Sequence, residues 1–264
     1  FFPFFFTLRS SGKWVSLWRV SSVVKLLEAP PRKENLKKLA EMILDLYYSI
    51  SQRFLIVCSL YATIVACIYR NRFNELKYLF IYPFASLTET VASSFLDSDL
   101  TQTLNYRIRE LLVNIFLVIE LISIYVFFIR LYASPKIKRI LSYTMIAYLS
   151  ITVLLVIIEK DFALSASHVF VPQAIIILAP SFMYLYRLFS FPADRELKND
   201  PAFWVVTGLI LYFGGTLPLF LLNMQFDFYN ELDRSVYTIN FYCYGILFLF
   251  IIKAFLCKKR EISY

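Results

Sequence analysis

Histidine is almost absent from this chain, which has a single one, His168, in 264 residues. A zinc site with two or three histidine ligands therefore cannot form within one chain, and neither can bis-histidine haem ligation. Glycine is scarce as well, with five residues, and the glycine-rich loops that cradle phosphates do not occur. Because no nucleophile, base and electrophile can be assembled, we predict a protein that is not an enzyme and carries no cofactor or metal.

Charge is the second shortage: 17% of the residues are charged and 59% are hydrophobic, whereas soluble domains are about 25% charged. A soluble protein of this length could not bury so much apolar surface. Seven largely apolar runs, of roughly the length that spans a bilayer, are separated by short charged loops. They cover residues 54–69, 76–96, 111–129, 140–158, 162–186, 199–226 and 235–252. We therefore predict an all-α, multi-pass bundle of seven transmembrane helices whose first partner is the lipid bilayer.

Basic residues are distributed unevenly over the predicted loops, with fourteen in the odd-numbered loops and the tail and four in the even-numbered loops. The fourteen are Arg70, Arg72, Lys77, Arg130, Lys136, Lys138, Arg139, Arg187, Arg195, Lys198, Lys253, Lys258, Lys259 and Arg260. The four are Arg107, Arg109, Lys160 and Arg234. Since Lys and Arg accumulate on the cytoplasmic side, we expect the N-terminus outside and the C-terminus inside the cytoplasmic (inner) membrane. The transmembrane domain then covers 42–258, and 259–264 form a short cytoplasmic tail.

Residues 1–41 contradict this orientation, because they carry eight basic residues and three acids on the side predicted to lie outside. The first methionine is Met42. One interpretation is an extension produced by a misplaced start. The other is an interfacial amphipathic helix, one face of which would hold Trp14, Leu17, Trp18 and Val24. The basic residues are scattered over loop ends rather than clustered, so nucleic acid is not a predicted partner.

Two glutamates, Glu89 and Glu120, lie within predicted spans, where ionisable residues are costly and indicate function by default. Polar residues at helical spacing form stripes beside them. The second span holds Tyr82, Ser86, Glu89 and Ser93, and the seventh holds Tyr237, Asn240 and Tyr244. The ligand-binding candidates are Glu89, Glu120, His168, Tyr237, Asn240 and Tyr244. The alternative is that the glutamates are protonated or hydrogen-bonded and only hold helices together, and that His168 is an interface residue.

Local features of the sixth apolar run, and of the first and last runs, predict how helices begin and pack. Asp200 can cap a helix and Pro201 fits its first turn. Gly208 and Gly215 are seven residues apart, so they share a face on which another helix could approach closely. The cysteines lie within or at the ends of the first and last runs, which favours packing over a disulfide framework; they are Cys58, Cys67, Cys243 and Cys257.

Four strings are familiar together: LKYLFIYPFASL at 76–87, NIFLVIELISIY at 114–125, DPAFWVVTGLILYF at 200–213 and INFYCYGILFLFIIKAFLC at 239–257. Over about residues 45–258 the chain resembles a group of uncharacterised multi-pass proteins of Bacteroidota type. Genes of that group often lie beside sensor histidine kinases. The resemblance implies a bacterial membrane sensor or a signalling accessory subunit, with a sensor histidine kinase as partner. The polar residues within the spans predict a second partner, a small-molecule ligand bound between helices near Glu89, Glu120 and Asn240.

Two other functions remain open. The Pro172-Gln173 pair is similar to one found in small seven-helix sugar and cystine carriers, although the second such pair, in their first helix, is missing here. A small-solute or proton-coupled carrier is therefore one alternative. A structural subunit of a membrane complex is the other.

Overall fold

The computed structural model describes residues 33–96, 102–159, 166–190, 197–226 and 231–257. This part of the chain is all-helical and contains no strand, so the predicted fold class is confirmed there. The helices are α1 (Lys33–Tyr69), α2 (Ile81–Leu96), α3 (Gln102–Leu131), α4 (Pro135–Glu159), α5 (Ala166–Ser190), α6 (Pro201–Phe226) and α7 (Glu231–Leu256), with a 3-10 turn at Leu197–Asn199. Helix α1 begins ahead of Met42, and the proposed amphipathic face at 14–24 lies outside the described residues.

Six of these helices contain a segment that is long and apolar enough to cross a membrane. The segments are Met42–Tyr69, Leu111–Leu131, Pro135–Leu154, His168–Ser190, Pro201–Leu222 and Ser235–Leu256. Large aliphatic side chains also cover the outside of the bundle: Val57 is 64% exposed, Ile68 68% and Ile140 63%. A water-facing surface would not carry so much contiguous apolar area. The chain is therefore a multi-pass membrane protein.

Helix α2 begins later than the apolar pattern suggested, and the prediction of a helix from residue 76 is wrong. Residues 74–80 form successive turns. The amide of Leu79 donates to the carbonyl of Leu76 at 2.9 Å, and the amide of Tyr82 donates to the carbonyl of Leu79 at 3.2 Å. Pro83 explains why the helix starts later in the chain, because proline has no N–H to donate and its ring clashes with the carbonyl four residues before it in a helix. A proline fits the first turn of a helix without loss of a backbone bond, and α2 begins two residues before Pro83. The helix has 16 residues and is too short to count among the six candidate spans.

Helix α7 packs between α1 and α6, with α5 against α6 and α2 between α1 and α3. Glycine permits two close contacts of α7. A Cβ added to Gly208 would lie 2.8 Å from Phe250 Cβ, and one added to Gly245 would meet the ring of Phe54. The close approach predicted at Gly208 is thus confirmed. The same prediction is wrong at Gly215, where an added Cβ would meet no atom within 4 Å.

Helix α5 contains Pro172 and Pro180, and α6 contains Pro218. Pro180 cannot bond the carbonyl of Ile176, and the Tyr125 hydroxyl donates to that oxygen instead, at 2.9 Å. Helix α6 starts as predicted: Asp200 Oδ1 accepts from the amide of Ala202 at 2.9 Å, with Pro201 between them.

One end of the bundle, here called the basic end, is formed by residues 70–80, 131–135 and 197–201 together with Cys257. Contacts join these segments to one another. Arg130 Nη1 donates to the carbonyl and side-chain oxygens of Asn74, both at 3.0 Å. The Cys257 thiol donates to the carbonyl of Lys198, with 3.8 Å between Sγ and the oxygen. The described residues of the loops between α1 and α2, between α3 and α4 and before α6 therefore lie at the same end of the bundle.

Candidate functional site

The centre of the bundle holds a completely buried carboxyl group, that of Glu120 in α3. The hydroxyl of Tyr82 donates to Glu120 Oε1 at 2.7 Å, and Gln173 Nε2 donates to Oε2 at 2.8 Å. Both donors are uncharged. No Lys or Arg of the described residues is bonded to this carboxyl group. Three helices therefore meet on one carboxyl group, and its bonded partners in the described part of the chain are both neutral.

Local sequence explains why these side chains converge. Tyr82 lies in the first turn of α2, where Pro83 sets the helix start, and it is fully buried. Glu120 lies 11 residues before the end of α3, about 16 Å from the basic end. Gln173 follows Pro172 in α5 and is also fully buried. All three side chains therefore point into the bundle at the depth of the membrane.

Tyrosines from α6 and α7 close the site. The ring of Tyr244 lies 5.8 Å from that of Tyr82 and 4.9 Å from that of Tyr212, between ring centroids. The hydroxyl of Tyr244 faces the hydroxyls of Tyr82 and Ser86 without a well-formed hydrogen bond to either. We call Tyr82, Ser86, Glu120, Gln173 and Tyr244 the central cluster. It includes two of the predicted polar positions of α2 and the innermost polar position of α7.

Several polar atoms of this cluster have no hydrogen-bond partner within the described part of the chain, although they are buried. They are Ser86 Oγ, Gln173 Oε1 and Tyr244 OH, and Asn240 Oδ1 is in the same state one turn along α7. Buried polar groups are normally paired, and each exception requires a reason. Of these residues, Gln173 bonds the Glu120 carboxyl group, and the Tyr244 ring packs against Tyr82, its other donor. The arrangement offers both donors and acceptors to a small polar species.

A carboxylate is costly to bury unless its charge is compensated. Glu120 can meet this requirement by taking a proton, by taking a cation, or by donating as a neutral acid to a bound group. Tyr82 and Gln173 fix its position in every case. Proton exchange, or capture of a small cation or polar ligand, is therefore the chemistry that this site can support.

The remaining sequence-predicted candidates lie away from Glu120. Glu89 is half-buried, accepts from Ser93 Oγ at 2.8 Å and lies two turns of α2 beyond Tyr82, about 10 Å along the helix. Asn240 lies beside Tyr212, and Tyr237 packs edge-on against Phe220, with ring centroids 6.3 Å apart.

His168 is exposed at the start of the α5 span and is not brought to the central cluster. Five residues separate it from Gln173, so the two side chains leave the helix on different faces. The structure therefore joins Glu120 and Tyr244 and leaves His168 on the outside of the bundle.

The basic end carries cations stacked on aromatic rings. The Arg130 guanidinium lies 4.2 Å from the centroid of the Tyr78 ring, and Arg187 lies 5.8 Å from that of Tyr132. Tyr132 donates to the carbonyl of Pro180 at 2.7 Å, and burial raises the pKa of its hydroxyl to about 12, although Arg187 acts to lower it. Cys257 is buried there as well, and burial raises the pKa of its thiol.

All four cysteines are free thiols. The predicted packing against neighbouring helices holds for Cys58 and Cys257, which are buried, whereas Cys67 is exposed.

Sequence reasoning missed the partners of Glu120. The sequence marks Gln173 only as part of a Pro-Gln pair, and Tyr82 only as a member of a stripe. The amide of Gln173 within an apolar run was the available signal, since polar side chains within a span usually bond another helix. Comparisons of the chain with protein-family models, with curated proteins and with solved structures found no match.

Proposed function

We propose that this chain is a non-enzymatic sensor or accessory subunit of bacterial signalling in the inner membrane, and that Glu120 is its responsive group. One observation carries the proposal: a fully buried carboxyl group is held by two uncharged donors and surrounded by buried polar atoms without partners among the described residues. A group in that state changes its contacts when it gains or loses a proton or meets a ligand. The resemblance to proteins encoded beside histidine kinases supports the same function.

The coupling route that we propose runs through α2 and α3. The bond between Tyr82 and Glu120 joins these helices near the middle of the bundle. The bonds between Asn74 and Arg130 join the same two parts of the chain at the basic end, about 15 Å away along α3. A change at Glu120 that releases Tyr82 would thus move residues 70–80. A ligand acts in this way only if it prefers one of the two arrangements.

We further propose seven crossings, with the basic end facing the cytoplasm. The Asn74–Arg130 contact supports the seventh crossing, because it places the end of the 30-residue α3 beside the start of α2. The chain between Asn74 and the beginning of α3 must then cross to the far side, and α2 is the helix in that interval. Concentration of basic residues at one end supports the orientation. A cytoplasmic kinase would contact this basic surface.

The experiment is gentle purification from native membranes, followed by mass spectrometry of the proteins and small molecules that are retained. Wild type, Glu120→Gln and the exposed control Tyr143→Phe are compared. We expect a sensor kinase in near-stoichiometric amount with wild type and the control, and a changed amount with Glu120→Gln. A protein made at wild-type level that retains no protein partner under any condition would overturn the signalling proposal.

A small-solute or proton-coupled carrier is the second candidate, and the bond from Gln173 to Glu120 favours it, because a proton-coupled carrier needs a protonatable group in contact with its solute site. A retained small molecule without a protein partner would support the carrier. Uptake into proteoliposomes would then be measured. If Glu120→Gln changes neither partner nor transport, the chain is a structural subunit and Glu120 only holds helices together.

A further inference from the structure

A groove of about 430 Å³ opens on the outside of the bundle between α3 and the start of α2. Its walls are mostly aliphatic, formed by Ile81, Ile119, Ile122 and Val126 with Ser123 among them, and its basic end is closed by Tyr78 and Arg130. The volume is within the roughly 300–1,000 Å³ of sites that hold small ligands. Since it opens through the apolar outer surface of a membrane protein, lipid is the molecule that reaches it.

Charge is concentrated at one end of this groove. The Arg130 guanidinium and the Lys77 ammonium both lie over the ring of Tyr78, at 4.2 Å and 5.9 Å from its centroid. Arg130 bonds Asn74 through Nη1 alone. Its Nη2 and Nε have no partner within the described residues, and two parallel N–H groups of this kind match a phosphate. Lys77 is exposed.

We propose that this groove binds an anionic phospholipid, with one acyl chain along the isoleucines and the phosphate on Arg130 and Lys77. An apolar groove that ends at Arg130, with Lys77 over the same Tyr78 ring, complements a lipid of that kind in both polarity and charge. Basic pockets between membrane helices bind anionic head groups in this way. The lipid would contact both α3 and the segment before α2, which are the two parts that Asn74 and Arg130 join.

The test measures binding of phosphatidylglycerol and of phosphatidylcholine to the purified full-length protein, by native mass spectrometry and by the increase in unfolding temperature. We expect one phosphatidylglycerol to bind with an affinity about tenfold above that of phosphatidylcholine, because both lipids present a phosphate but the choline cation is repelled by Arg130 and Lys77. Arg130→Gln and Lys77→Gln should each reduce that preference. Lys77→Gln removes no hydrogen bond within the described residues, so it tests charge without disturbing Asn74.

A second variant tests the apolar part of the site. Ile122 is 39% exposed in the groove, and Ile122→Trp should fill the groove and abolish tight binding of phosphatidylglycerol while both cations remain. Matched controls are Arg139→Gln, an exposed cation at the start of α4, and Ile146→Trp, an exposed aliphatic residue of α4. Both should bind as wild type.

Three results would overturn the proposal. The first is equal affinity for the two lipids, and the second is unchanged binding by Ile122→Trp. The third is equal stabilisation by inorganic phosphate alone, which would mean a free anion site rather than a lipid site.

Discussion

Replacing Gly208 by alanine tests how closely α6 and α7 pack. The added Cβ would lie 2.8 Å from Phe250 Cβ and 2.9 Å from Leu247 Cδ1, whereas ordinary contacts of this kind are 3.4–4 Å long. Phe250 Cβ is bound to the backbone and cannot swing aside. The two helices must therefore separate by several tenths of an ångström, which weakens the contacts along their interface.

The magnitude follows from a matched pair of glycines on the same helix. Overpacking of a tight interface costs about 1–3 kcal/mol, and alanine gains up to about 1 kcal/mol over glycine as a helix former. Gly214→Ala should show only the gain in helix propensity, because an added Cβ there meets no atom within 4 Å. The propensity effect cancels between the two variants. Gly208→Ala should thus be about 1–3 kcal/mol less stable than Gly214→Ala.

The assay is reversible unfolding of the purified protein in mixed micelles, followed by loss of helical circular dichroism. Gly214→Ala should unfold at the same or a higher denaturant fraction than wild type, and Gly208→Ala at a lower one. If the two variants unfold together, the α6–α7 interface is not packed as described and the reasoning is refuted.

Two other predictions concern the central cluster and the cysteines. Tyr82→Phe removes one donor from Glu120 and leaves the side-chain volume almost unchanged, so it should lower the free energy of unfolding by roughly 0.6–1.7 kcal/mol. The control is Tyr143→Phe, at a side chain that is 68% exposed, and it should leave that free energy unchanged. Identical unfolding curves for the two variants would count against the bond between Tyr82 and Glu120. In detergent, a maleimide should label exposed Cys67 before buried Cys257, because burial raises the pKa of the Cys257 thiol and keeps it protonated at about pH 8. Labelling of Cys257 should accelerate as the pH is raised further, and equal rates for the two thiols at the lower pH would contradict its burial.

The sequence predicted the features that depend on neighbouring residues. Asp200 and Pro201 begin α6 as expected, since a cap and a first-turn proline act within one turn. The depth of Glu120 followed from counting along an apolar run. The start of α2 was missed, although Pro83 contained the information, because hydropathy alone does not register a lost backbone donor.

Features that depend on distant residues could not be predicted in this way. Tyr82 is 38 residues from Glu120, and Gln173 is 53 residues from it, so their meeting depends on how three helices pack. Gly208 and Gly215 look alike in the sequence. Only the packed structure separates the one that faces α7 from the one that faces outward.

The most direct test is a comparison of transcriptomes in cells that lack the gene and are complemented with wild type, Glu120→Gln or Tyr143→Phe. The side-chain carbonyl introduced by Glu120→Gln would still accept from Tyr82. The amide of Gln173 can rotate so that its Oε1, which has no partner among the described residues, accepts from the new side-chain amide. The variant should therefore be made and folded as wild type. A responsive Glu120 predicts that Glu120→Gln cells resemble the deletion while Tyr143→Phe cells resemble wild type. If Glu120→Gln restores the wild-type pattern, Glu120 only holds helices together and the proposed function is wrong.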